Sequence, residues 1–221
     1  RNFCSVDPSN SPDAGSVDRD TMTQPNPFFT LDTPLATVIG LYSNVPEGGK
    51  ILDDQLAWFI DRLRESPVDK ALIVAVHHPL FSADKHHSGS PEMLRVFREA
   101  IAESGRVPDL ILTAHVHNYQ RYTWEVEGRQ VPVLVAGAGG YPNLHKMIRP
   151  EGNPIHTPFR PEGSDATLES FVDNRHGFLR IEITAGRITG KYYAVPWDEN
   201  SERGERMDRF HLDTVNHRLT S

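Results

Sequence analysis

A layered α/β fold is predicted by three features of this 221-residue chain. Helical and strand-like apolar patterns alternate through its first half, two apolar runs show no polar alternation, and strand patterns crowd its second half. Ala71-Leu72-Ile73-Val74-Ala75-Val76 and Leu110-Ile111-Leu112 suit strands covered on both faces, because neither side has to meet water. The length corresponds to one domain or one and a half, enough to bury a core.

The elements follow in order. Residues 1–26 are rich in Ser, Asp, Pro, Asn and Thr without an apolar period, and read as an irregular segment. Phe28–Leu31 and Ala36–Tyr42 read as short strands separated at Asp32–Pro34. Leu52, Leu56, Phe59, Ile60 and Leu63 recur at helical spacing, so 52–65 reads as an amphipathic helix ending before Pro67. Pro91–Ser104 carries Met93, Leu94, Phe97 and Ile101 on one helical face, and Gly105 stops it. Arg121–Val126 and Val131–Ala136 read as an antiparallel pair across Gly128. Residues 141–175 are loop-like and hold His145 and His156, a segment expected to cap a site; Gly177–Ala185 and Arg187–Val195 form a hairpin. Residues 197–221 read as a charged, mostly aperiodic tail, which leaves 27–196 as the folded unit.

Composition excludes several classes. With 38% apolar and 24% charged residues the chain is neither a disordered tail nor a membrane protein. No window approaches the roughly 18–20 apolar residues of a membrane span. A net charge of −7 provides no electrostatic footprint for duplex nucleic acid. The single cysteine, Cys4, cannot form an internal disulfide. Eleven histidines, several of them clustered, point instead to metal or acid–base chemistry.

Both continuous strands run into histidine: Val74-Ala75-Val76-His77-His78-Pro79 and Leu112-Thr113-Ala114-His115-Val116-His117. Sites in covered α/β sheets form beyond the carboxyl ends of strands, and imidazole suits zinc, iron and manganese. His115 and His117, two apart, project to one side of extended backbone and can each serve a different metal of a close pair. Gly137-Ala138-Gly139-Gly140 lacks the Lys and Ser/Thr of a phosphate loop and reads as a tight turn that lets backbone pass near the site.

The stretch 74–81 and Ala114-His115-Val116-His117-Asn118-Tyr119-Gln120-Arg121 resemble the last two metal motifs of the calcineurin-like metallophosphoesterases, most of all the purple acid phosphatase branch. That branch also carries a His-His pair nine and ten residues after its first metal histidine, here His86 and His87. Ala114 stands where the branch has Gly. Gln55-Leu56-Ala57-Trp58 is similar to its preceding helix, and His176-Gly177-Phe178-Leu179-Arg180 to its closing hairpin. The resemblance covers about residues 28–195 and implies an αββα sandwich of which this chain supplies the C-terminal half to two-thirds. It implies two metal ions (Fe, Zn or Mn), with His77 and His115 on one and His117 on the other. It implies His78, His86 and His87 facing a phosphate-ester substrate, and His87 or His86 donating a proton to the leaving alcohol. The implied reaction is phosphate-ester hydrolysis, monoesters favoured by the His-His pair, through in-line attack of a metal-bound hydroxide. A phosphodiesterase of the same superfamily, a mononuclear zinc hydrolase and a non-catalytic metal-binding or interaction domain are the alternatives.

The family's Asp-x-His, Gly-Asp-x-x-(Asp/Tyr) and Gly-Asn-His-(Asp/Glu) elements, which supply the bridging carboxylate, are absent from the sequence. Asp84-Lys85-His86 spells the first, but lies on the wrong side of His77 and follows no strand. Asp18-Arg19-Asp20 and Asp53-Asp54 lack the right neighbours; the latter reads as a helix start, where carboxylates favour the dipole. A chain without those elements is expected to be weakly active or inactive by itself, and to expose a sheet edge or face.

Overall fold

The computed structural model describes residues 4–5, 22–23, 26–46, 48–147, 153–196 and 204–220. Its main sheet has seven strands. In chain order they are β3 (Phe29–Asp32), β4 (Ala36–Gly40), β5 (Ala71–Ala75), β6 (Leu110–Thr113), β7 (Tyr119–Val126), β8 (Arg129–Ala136) and β9 (Ala166–Val172). Across the sheet the order is β3-β4-β5-β6-β8-β7-β9. β4, β5, β6 and β8 run parallel, while β3, β7 and β9 pair antiparallel with their neighbours. Ahead of it, Cys4–Ser5 (β1) and Met22–Thr23 (β2) form a short parallel pair within the stretch read as irregular. Asp18-Arg19-Asp20 lies outside the described residues.

The parallel strands are apolar on both faces because both faces are covered. The row Ile39, Val74, Ile111 and Val133 runs across the sheet in register and packs under the helices α1 (Asp53–Glu65) and α2 (Pro91–Ser104). The alternate positions Ile73, Leu110 and Leu134 face the other way, onto Ile188, Phe210 and Leu212 of a second, antiparallel sheet. That sheet is β10 (Gly177–Thr184), β11 (Arg187–Ala194), β12 (Glu205–Asp213) and β13 (Arg218–Thr220), in that order. Helix α2 starts where Ser90 Oγ accepts the Met93 amide at 3.2 Å with Pro91 behind it, and stops at Gly105 with φ +66°.

Three layers, helices on sheet on sheet, are therefore formed by the described residues. β3 is an edge strand, with Phe29 43% and Leu31 53% exposed. Among the described residues no helix is long and apolar enough to cross a membrane.

Two stretches depart from the sequence reading. The loop-like 141–175 contains β9, whose polar Thr167, Glu169 and Ser170 hid a weak alternation beside a Pro-rich flank. The tail 197–221 contains β12 and β13. In β12, Phe210 and Leu212 are buried while charged neighbours face outward, the period-two pattern of a half-buried antiparallel strand. A bidentate pair from Arg121 (2.7 and 3.1 Å) and the Tyr119 hydroxyl (2.7 Å) all meet the Asp208 carboxylate, tying β7 to β12.

Candidate functional site

The site lies beyond the carboxyl ends of β5 and β6, where adjacent parallel strands release their chains side by side. Ala114 N donates to His77 O at 3.0 Å, so the two histidine loops stay in register past the sheet. After β6 the backbone is not extended as the sequence reading had it. Val116 N donates to Ala114 O at 2.7 Å and Asn118 N to Val116 O at 2.8 Å, two successive tight turns. His115 sits at φ +62°, the left-handed region that strains a side chain bearing a Cβ. The strain falls on His115, not on Ala114, so alanine in place of the family's glycine carries no conformational cost. Val116 and Asn118 are buried while His115 and His117 are partly exposed. Gly137 makes the turn possible: a Cβ there would stand 1.9 Å from Val116 O.

His77, His78 and His115 come together, one ring nitrogen of each lying within 4.8 Å of the others. His77 Nε2 and His115 Nδ1 are 3.1 Å apart. The orientation of His78 is set by Ser43, whose hydroxyl lies 2.8 Å from His78 Nδ1 and accepts the His78 amide at 3.3 Å. Ser43 is held in turn through Tyr42, whose backbone N–H and C=O pair with the buried Gln55 amide on α1 at 2.7 and 2.9 Å.

His117 lies further along the same surface, its ring 4.1 Å from Tyr141 and 4.6 Å from His145. Its Nδ1 is buried and has no hydrogen-bond partner among the described residues. His87 joins the group, 5.0 Å from the His115 ring and 5.0 Å from His145, and the His86 ring lies 6.1 Å from that of His145. His145, which the sequence placed only in a capping segment, is thus inside the cluster. The sole hint was its residence in the loop after β8. Asn118, Tyr119 and Arg121 are internal: Asn118 and Tyr119 are fully buried and Arg121 is consumed by Asp208.

Electrostatically the cluster is built for neutral imidazole. Burial first, then the His117 ring, lowers the pKa of His77; burial and then His77 lower that of His78. Burial, followed by His78, His77, His87 and His117, brings His115 down to about 4. Metal-free, these rings are unprotonated near neutral pH, the state a cation requires. Several close nitrogen donors with an unpartnered buried Nδ1 beside them fit a zinc-, iron- or manganese-class ion. The three-imidazole group contains no carboxylate. A cleft of about 450 Å³ opens at the other end of the sheet, lined among others by Lys70, Arg106, Asp109 and Arg129, and no histidine of the cluster borders it.

Comparison with known proteins gives a consistent answer. No protein-family model matches the chain. It is 28% identical over 185 residues to purple acid phosphatase 21 of Arabidopsis thaliana, covering 83% of this chain and 39% of that protein. The chain therefore spans well under half the length of that curated relative. The fold is shared with a purple acid phosphatase from yellow lupin seeds (TM-score 0.64, 15% identity, 86% of this chain, 34% of the other). It is shared also with PhoD (TM-score 0.60, 14% identity, 90% of this chain, 44% of the other). GAP50, the anchor in the inner membrane complex of Plasmodium, matches with TM-score 0.52 and 14% identity over 82% of this chain and 53% of its own. Sequence motifs, layer order and relatives agree: the chain is similar to the purple acid phosphatases and shares the fold of the calcineurin-like metallophosphoesterases.

Proposed function

We propose that this protein is a metal-dependent phosphoesterase acting on phosphate monoesters. The observation that supports this most is the convergence of His77, His78 and His115 within 4.8 Å at the strand ends, with the unpartnered His117 Nδ1 on the same surface. His77 and His115 would hold one cation and His117 a second. A bound metal pair supplies charge neutralisation for the phosphoryl oxygens and an acidified water. The chain's own residues then orient and protonate. His78, fixed by Ser43, faces the phosphoryl group from the His77 side. His87, whose ring lies 5.0 Å from that of His115, would give its proton to the departing alcohol oxygen during in-line displacement at phosphorus, and His86 would border the substrate.

A second reading, a non-catalytic metal-binding or interaction domain, draws on the lack of a carboxylate in the imidazole group. Two cations without a bridging anion repel each other and the second binds weakly. That GAP50, of shared fold, is described as an anchor makes this the natural rival.

The deciding experiment loads the chain with up to two equivalents of zinc or manganese and follows an aryl phosphate monoester beside an aryl diester. Metal uptake and monoester turnover that both disappear in His115→Ala support the phosphatase. Metal uptake with no turnover of either ester, in the longest native form of the protein as well as in this chain, supports the second reading, and preferred diester turnover identifies a phosphodiesterase.

A further inference from the structure

We propose that His145 is a third phosphate-contacting imidazole beside His86 and His87, and that Asp84 is the positioning residue that holds all three. This rests on the phosphoesterase reading of the same site. Asp84-Lys85-His86 is a coincidence as a metal motif, yet the Asp84 side chain is completely buried at the centre of the site's loops. Its Oδ1 accepts the backbone N–H groups of both His86 and His87, each at 2.8 Å, which sets the turn from which the two imidazoles project. The same oxygen lies 3.7 Å from His145 Nδ1. The other oxygen, Oδ2, is buried with no hydrogen-bond partner among the described residues, and so is His145 Nδ1. Buried polar atoms left unpaired are costly and rare; an anion cannot complete the acceptor-only carboxylate oxygen, whose charge instead favours a hydrogen-bond-donating His145 ring beside it.

The loop of His145 is fixed independently of any ligand. His145 N donates to His117 O at 3.1 Å, and His145 O accepts from the buried Asn118 amide at 3.1 Å. Lys85 N donates to Lys146 O, and Asp84 pairs with Met147 in an antiparallel bridge, so the two loops run together as one unit. Met147 N is anchored by Asp173 at 2.9 Å. The His145 ring consequently lies stacked on His87 at 5.0 Å and 26°, and against His117 at 4.6 Å. It spans from the imidazole assigned to a metal to the one assigned to the leaving group. A tetrahedral oxyanion bridging those two positions meets His145 along the wall between them.

The test uses the full chain saturated with zinc, with inorganic phosphate as probe, titrated calorimetrically beside turnover of an aryl phosphate. One hydrogen bond to an anion is worth roughly tenfold or more in affinity. His145→Ala is expected to weaken phosphate binding by about that factor, with zinc content unchanged and KM rising more than kcat falls. Asp84→Asn keeps an oxygen for the turn amides but removes the charge beside His145, and is expected to weaken phosphate severalfold without unfolding. His145→Gln, which retains a donor, is expected to recover part of the loss. Wild-type affinity in His145→Ala overturns the proposal, as does zinc loss in parallel, or failure of the wild type to bind phosphate. Unchanged affinity in Asp84→Asn overturns the role of Asp84. Phosphate binding that depends on His145 without any turnover counts against the phosphatase reading alone.

Discussion

Replacing Asp208 by alanine removes the carboxylate that joins the two sheets. In the native protein its side chain is 8% exposed and that of Arg121 7%. It accepts two hydrogen bonds from the guanidinium and one from the Tyr119 hydroxyl, a residue with no exposure at all. Without it a buried guanidinium has no counter-charge. Breaking such a pair costs about 3–5 kcal/mol, against near zero for a surface ion pair. The orphaned Tyr119 hydroxyl keeps the loss toward the upper part of that range. Taking about 4 kcal/mol and roughly 2–4 °C per kcal/mol for a chain of this size, the melting temperature should fall by about 8–16 °C. Differential scanning calorimetry reads this directly. The double variant Arg121→Met, Asp208→Leu should regain much of the loss, because it leaves no buried charge. A fall below about 3 °C in Asp208→Ala would refute the reasoning, since residues 204–220 would then not be part of the cooperative core.

Other outcomes rest on the same kinds of contact. Burial raises the Asp165 carboxyl, but hydrogen bonds from Trp124 Nε1 (2.9 Å) and Arg98 (2.8 Å) outweigh it and hold the group below the ordinary carboxylate range. A depressed folded pKa stabilises above the unfolded value and is lost as pH falls through the folded one. Asp165→Asn should therefore melt lower than wild type at pH 7, with the gap closing below about pH 4; a gap constant with pH would exclude the linkage. Gly137→Ala drives a Cβ to 1.9 Å from Val116 O, so it should cost about 1–3 kcal/mol or more and lower zinc affinity together, by melting and titration. Ser43→Ala frees His78, and about 1–2 kcal/mol of stability should go with a measurable loss of phosphate affinity in the zinc-loaded protein.

The candidate site was legible in sequence because its parts are short and local. A continuous apolar run must be a covered strand, and a covered strand delivers its next residues to the sheet's carboxyl edge, so His77 and His115 announced a shared location. Helix α2 was equally plain, with Pro91 at one end and Gly105 at the other. Local pattern does not carry the partner across the fold. Asp84 looked like a misplaced motif because only the meeting of residues 83–88 with 145–147 gives it His145 as a neighbour.

By itself, then, the sequence determined the covered strands, the two helices, the central hairpin and the family motifs, all of which depend on residues within a few positions of one another. Tertiary structure alone decided that β9, β12 and β13 are strands, since their polar faces stay in water and only packing selects which alternation counts. It also decided that Asp208 neutralises Arg121 from 87 residues away and that His145 stands among the site imidazoles. The physical reason is common to these cases. Burial and charge pairing are properties of contact, and contacts between distant segments exist only once the two sheets have closed on each other.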